Sequence, residues 1–220
     1  MTRDEPTPDY LAPYTRAVAA YGTGFGALLI CDRSWQEARF AALAGAIGLQ
    51  GRAIGDLGSG RADLLAWLLR EQIDCRRYVA VEAVPELHRF AAARRLEHGS
   101  SSFVEADFVR DAELLPALVA EHDLDVLLFC GSLNTLEEAD ALAVLDRAWA
   151  ALAARPGAAL GFNFLAGGDA WSRPGTRLPR RDTRRWFGWA CDRTPLVIFC
   201  QHYLGAHDAT IVMLQPARAQ

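Results

Sequence analysis

The run Ala53-Ile54-Gly55-Asp56-Leu57-Gly58-Ser59-Gly60-Arg61-Ala62-Asp63 constrains the fold of this chain more than any other stretch. A short apolar segment closes on an acid, glycines follow two positions apart, and an amphipathic stretch from Asp63 to Arg70 begins at once. That order predicts a strand, a tight turn and a helix. Glycine lets the backbone turn sharply and lets a ligand lie directly on it, because no Cβ stands in the way. The helix start behind the turn offers unpaired N–H groups to an anionic group. Such a corner suits a nucleotide-type cofactor, and the downstream segments narrow the choice.

Arg77 to Glu82 reads as a second strand closing on an acid, 26 positions after Asp56. A carboxylate at that strand tip can accept hydrogen bonds from both hydroxyls of a ribose. Ser102 to Phe108 contains a third short strand ending in Asp107, and Leu124 to Gly131 is apolar enough to be buried on both faces. Between the strands, Ser34 is the expected N-cap of a helix running to about Ala46, with Glu37 completing a capping box. Asp63 is expected to cap the helix after the glycine corner, and Pro85 falls in the first turn of the next one, where a missing N–H is harmless. Glu137 to Ala154 predicts a further helix, Ala158 to Leu165 a fifth strand and Arg184 to Asp192 a short helix. Leu196–Tyr203 and Thr210–Leu214 then read as paired strands around a turn at Gly205. The first twenty residues, with Pro6, Pro8 and Pro13, are expected to be loose or only partly helical.

The motifs resemble class I S-adenosylmethionine (SAM) dependent methyltransferases. Asp56, Gly58 and Gly60 match that family's acid-x-Gly-x-Gly-x-Gly signature, while Ala62 stands where its third glycine is common. The resemblance implies that Asp56, Gly58, Ser59 and Gly60 hold the cofactor and that Glu82 binds its ribose. It places Asp107 and Phe108 at the adenine, and Cys130 and Gly131 beside the methionine half. Tyr21-Gly22-Thr23, the segment Asp32 to Phe40, Gly131-Ser132-Leu133-Asn134, Gly161-Phe162-Asn163-Phe164-Leu165 and Gln201-His202-Tyr203 extend it over nearly the whole chain, toward a largely uncharacterised bacterial small-molecule subgroup. The expected fold is α/β and Rossmann-like: a seven-stranded, mostly parallel sheet with one reversed strand and helices on both faces. One methyltransferase domain over residues 21–220 is expected, with an N-terminal lid and a flap over 166–182.

Composition bounds the function. Two hundred and twenty residues, half of them apolar, suit one α/β enzyme with a substantial core. No apolar run reaches the ~18 to 20 residues that span a bilayer, and the polar start lacks a signal-peptide core, so a cytoplasmic protein without a membrane partner is expected. Net charge −4 argues against a broad nucleic-acid surface. All 23 basic residues are arginine. Arg173, Arg177, Arg180, Arg181, Arg184 and Arg185 cluster locally, either as a solvated face or as a flap drawing in an anionic small-molecule acceptor. The five cysteines are scattered without metal-ligand spacing, and no Asp-Asp-Asn cluster of a magnesium-dependent enzyme is present, so no metal is expected.

Methyl transfer from a sulfonium needs alignment first, and a base only when the nucleophile arrives protonated. His202, Asn134 and Asn163 are the catalytic candidates: a histidine in a strand that can border the pocket, and two amides near strand ends, each able to donate and accept. Either amide equally suits a role in tying its own loop, and the plainer reading of His202 is a core or edge-strand histidine with a satisfied hydrogen bond. Asn163 does not open the Asn-Pro-Pro-Tyr signature of DNA and protein-glutamine N-methyltransferases. Tyr21 to Gly26, glycines interleaved with aromatics, suits a lid, with Tyr21 facing the sulfonium through cation–π attraction. Arg39 is placed to pair either with the cofactor's carboxylate or with an acid of the protein. A non-catalytic SAM- or S-adenosylhomocysteine (SAH)-binding protein and an NAD-dependent oxidoreductase are the alternative readings. Position 63, however, is Asp, where the dinucleotide fingerprint wants Gly or Ala.

Overall fold

A computed structural model describes residues 7–94, 96, 99–167 and 178–217. Helix α1 (Ala12–Tyr21) occupies half of the segment expected to be loose, with Pro13 in its first turn. A short 3-10 turn, Phe25–Leu28, leads to α2 (Arg33–Ile47). There follow β1 (Ala53–Leu57), α3 (Asp63–Arg70), β2 (Arg77–Glu82), α4 (Pro85–Ala93), β3 (Ser101–Glu105) and α5 (Leu114–His122). Next come β4 (Val126–Cys130), α6 (Glu138–Ala151), β5 (Ala159–Gly167), β6 (Arg181–Asp182) and α7 (Thr183–Cys191). The hairpin strands β7 (Val197–Cys200) and β8 (Asp208–Leu214) complete the order.

The strands form one sheet in the order β3-β2-β1-β4-β5-β8-β7. β8 alone runs against its neighbours, pairing antiparallel with both β5 and β7. The expected sheet is therefore present, with one addition. The two residues of β6 pair in parallel with Ala166 and Gly167 of β5, making an eighth strand too short to leave a periodic trace in sequence.

Alternation along the strands divides the core. Leu127 and Phe129 of β4, with Leu160, Phe162 and Phe164 of β5, pack toward α5, α6 and α7. Val126 and Leu128 of β4, with Ile54 of β1, pack toward α2 and α3. Burial of β4 on both faces is what its continuous apolar run requires. A third cluster, Ala27, Val84 and Leu87 with Leu11, Tyr14 and Val18, ties α1 and the 3-10 turn to the start of α4.

Two helix caps differ from the sequence expectation. Asp32, not Ser34, caps α2: its carboxylate accepts the Trp35 N–H at 3.1 Å, and Ser34 Oγ donates to the same oxygen. Glu37 closes no capping box and reaches Arg70 at 2.9 Å. Asp63 is the first helical residue of α3, not its cap. The cap position belongs to Ala62 in the left-handed region, so the Asp63 carboxylate turns to Arg94 at 2.7 Å.

Candidate active site

The carboxyl ends of β1, β2 and β4 open onto one cleft, the place where open α/β sheets bind ligands. It holds about 1270 Å³ of space, counting its mouth. Asp56, Gly58, Ser59, Gly60, Glu82, Asp107, Phe108, Cys130 and Gly131 all line it. With Arg39, which also lines it, the structure gathers ten of the eleven residues expected at a cofactor around one volume.

The glycine corner sets the floor. Gly58 has φ +76°, and a Cβ there would lie 2.4 Å from Ser132 Cβ. Gly60 has φ +56°, and its Cβ would lie 2.8 Å from Leu28 Cδ2. Both positions combine left-handed backbone with close approach, which only glycine accommodates without strain. Gly58 and Ser59 donate their N–H groups to the Val81 carbonyl at 2.8 and 2.9 Å. The Glu82 carboxylate accepts from Gly60 N–H at 2.7 Å and from Val84 N–H at 2.8 Å. It clamps the corner to the start of α4, and burial raises its pKa against the pull of those amides.

Asp56 is only 2 % exposed, and the Tyr78 hydroxyl donates to it. Burial lifts its carboxyl to about 7, against that hydrogen bond and with the help of the negative fields of Glu82 and Asp63. At the other end, Asp107 accepts from Tyr10 Oη at 2.6 Å and from Val109 N–H at 2.9 Å. Burial, then the Asp107 hydrogen bond, hold the Tyr10 hydroxyl well above its ordinary range. Phe108 presents a ring braced edge-on by Phe129. Burial pushes the Cys130 thiol up to about 12, so it lines the cleft as a neutral group.

The remaining candidates divide. Asn134 lies in the cleft wall, its Oδ1 accepting from Leu165 N–H at 3.4 Å. Asn163 is fully buried and does not line the cleft; its amide accepts from Gly131 N–H at 2.8 Å and donates to Cys130 Sγ at 3.4 Å. It ties the end of β4 to β5 and is not positioned to touch a substrate. His202 is also outside the cleft: β7 ends at Cys200, and the histidine is exposed beside Tyr203. Tyr21 is 64 % exposed and packs over Gly26, away from the cleft, so it does not face a ligand there. Arg39 lines the cleft, but its guanidinium forms a bidentate pair with the buried Asp208.

Of the arginine cluster, Arg173 and Arg177 lie outside the described residues, as does most of the 166–182 flap. Arg181 is buried and donates to the Leu133 and Leu136 carbonyls, Arg180 donates to the Ala166 carbonyl, and Arg185 pairs with Glu138. Arg180 and Arg181 are structural ties, whereas Arg184 and Arg185 are exposed, the latter meeting Glu138 at the surface.

Tyr10, Tyr14, Trp35, Gln36 and His207 line the cleft without having been singled out from sequence. The signal was slight: Trp35 and Arg39 stand four apart on α2 and so share a helix face. Among the described residues no group of three His, Cys, Asp or Glu could hold a metal ion, and no helix is long and apolar enough to cross a membrane.

No protein-family model matches the chain, and no relative appears among curated proteins. Solved structures do match. The N-methyltransferase NodS from Bradyrhizobium japonicum, crystallised with SAH, is 17% identical with a TM-score of 0.61 over 95% of this chain and 100% of its own. An O-methyltransferase family protein from Burkholderia thailandensis is 13% identical with a TM-score of 0.60, covering 96% and 72%. Human N-acetylserotonin methyltransferase with SAM is 16% identical with a TM-score of 0.61, covering 94% of this chain and 62% of its own. At such identities the likeness is one of fold. The chain has the Rossmann-like fold of the class I methyltransferases.

Proposed function

We propose that this protein is a SAM-dependent methyltransferase that transfers a methyl group to an oxygen or nitrogen of a small molecule. The observation that carries the reading is the single cleft formed by Gly58, Gly60, Glu82, Asp107 and Phe108. Its floor admits no Cβ, which suits a ligand lying on the backbone. Glu82 suits the two ribose hydroxyls, Asp107 an exocyclic amine, and the Phe108 ring a flat base. The bound sulfonium supplies an activated methyl group; the protein supplies alignment and exclusion of water. Tyr10, Tyr14 and Leu28 wall the cleft from the lid side and serve that exclusion.

An NAD-dependent oxidoreductase fits less well. The fully parallel strand order of the dinucleotide fold is interrupted here by a reversed β8 inserted between β5 and β7. The experiment is calorimetric titration with SAM, SAH and NAD in parallel. Micromolar binding of the two sulfur ligands and none of NAD is expected. Binding of NAD alone, or of none, would overturn the reading.

A further inference from the structure

One end of the cleft is built by residues that no cofactor role uses. Trp35, Gln36 and Arg39 of α2 meet Leu165 at the end of β5, with Leu178 and His207 alongside. The His207 carbonyl accepts from Ala166 N–H at 3.0 Å, which fixes this residue at the carboxyl end of β5. Its ring is 13% exposed, and Trp35 braces it edge-on at 4.9 Å between centroids.

The ring's orientation follows from a buried triad. His207 Nδ1 lies 3.1 Å from Asp208 Oδ2. Asp208 is completely buried, and Arg39 donates to both of its oxygens, Nε to Oδ1 at 3.0 Å and Nη2 to Oδ2 at 3.2 Å. A carboxylate held in that fork is an acceptor only. In the neutral ring the proton therefore resides on Nδ1, and Nε2 carries the lone pair. No described residue makes a hydrogen bond to Nε2. Gln36 also lines the cleft, and its Oε1 is buried without a partner among the described residues. Two hydrogen-bond acceptors thus line the cleft with no donor among the described residues to serve them.

Charge narrows the ligand further. Arg39 is the only arginine lining the cleft among the described residues, and Asp208 neutralises it. Among the described residues, nothing there favours an anion over a neutral molecule.

We infer that His207 Nε2 is the proton acceptor for the molecule to be methylated, and that this end takes a non-anionic acceptor through an O–H or N–H group. The inference rests on the methyltransferase reading. The proton leaves the acceptor atom for Nε2, and its bonding pair forms the new bond to the methyl carbon. Sulfur keeps the pair of the bond it loses, and the imidazolium then releases the proton to water. Asp208 and Arg39 are positioning residues, since they act through the ring. A base so placed is worth ~10² to 10⁴ in rate.

The test is long-range ¹⁵N–¹H correlation of the imidazoles in the full-length protein with SAH, assigned by His207→Gln. His207 is expected in the Nδ1–H form. Phenol, as an O–H probe, and ethylamine, as an N–H probe, are titrated in turn. At least one should move the Nε2 resonance by hydrogen bonding while exposed His202 stays still. An Nε2–H form, or no movement with either probe, overturns the inference. Should the variant not fold, diethyl pyrocarbonate labelling of the wild-type protein reads the same point. His207 is then expected to be modified alongside His202; a silent His207 beside a labelled His202 overturns the open Nε2. SAH calorimetry on the same sample keeps the two readings apart. Absent SAH binding sinks the methyltransferase reading, whereas tautomer and labelling report on His207 either way.

Discussion

Replacing Asp56 by Asn should make the protein relatively more stable as pH rises. Asp56 is buried at the end of β1, with one hydrogen bond from Tyr78 and two acids, Glu82 and Asp63, in its field. Its carboxyl stands at about 7 against an ordinary 3.8, so folding disfavours the charge by about three pH units. At about 1.36 kcal/mol per unit, that amounts to roughly 4 kcal/mol once the group is fully ionised. The sign follows from proton counting. Between pH 4 and 7 the unfolded chain has released this proton while the folded one still holds it, so stability falls as pH rises. The contribution is fully present below the unfolded value and lost above about 7. Asn keeps an oxygen for the Tyr78 hydroxyl and carries no charge, so it removes only this slope. Urea unfolding of both proteins at pH 5, 6, 7 and 8 cancels, in the difference, every titrating group not coupled to Asp56. The stability of Asp56→Asn relative to wild type should climb by roughly 3 kcal/mol from pH 5 to 8. A difference that stays flat across that range would refute the reasoning.

Three further perturbations test the site. Glu82→Gln should weaken SAH binding about 10- to 100-fold by calorimetry with an unchanged circular dichroism spectrum, since one charged acceptor becomes a donor; unaltered affinity would remove Glu82 from the cofactor. Gly58→Ala should cost about 1–3 kcal/mol in urea unfolding, because its Cβ meets Ser132 and its backbone is left-handed; an unchanged midpoint counts against that packing. Arg39→Ala should cost about 3–5 kcal/mol by stranding Asp208, and adding Asp208→Asn should recover part of it. Equal loss in the single and double variants would mean that the buried charge is not the cause.

The strands nearest the glycine corner were legible because their signals are local. β2 spans Arg77–Glu82 as read, since a short apolar run and a closing acid mark it, and the hairpin signal around Gly205 foretold the reversed β8. The proposed cofactor half of the cleft was legible for the same reason: Gly58 and Gly60 lie within three residues of the end of β1, Glu82 closes β2 and Asp107 lies two residues past β3. Contacts that span the chain left no such trace. Tyr10 reaches Asp107 across 97 positions, and Arg39 reaches Asp208 across 169. The histidines show how fine the margin is. His202 and His207 lie five apart, but Leu204, Gly205 and Ala206 between them all take left-handed backbone, φ 50°, 59° and 60°. That turn leaves one ring in solvent and sets the other in the cleft, and two non-glycine residues adopting it could not be read from propensity.

The same division bears on how this fold changes its chemistry. Loops after β1, β2 and β3 build the proposed cofactor side, each from residues local to one strand end. The opposite end is assembled from α2, the end of β5 and the start of β8, and it holds together through Arg39, Asp208 and His207. A buried ion pair returns little net stability, because desolvation of both charges offsets their attraction. Its presence at a cleft wall is better explained by geometry. The bidentate fork admits one orientation of Asp208, and Asp208 admits one protonated nitrogen on His207. A hydrophobic pair in those positions would hold α2 against β8 equally well and leave the imidazole free to turn. The arrangement therefore makes sense as a device for aiming one lone pair, and only secondarily as a brace for the fold.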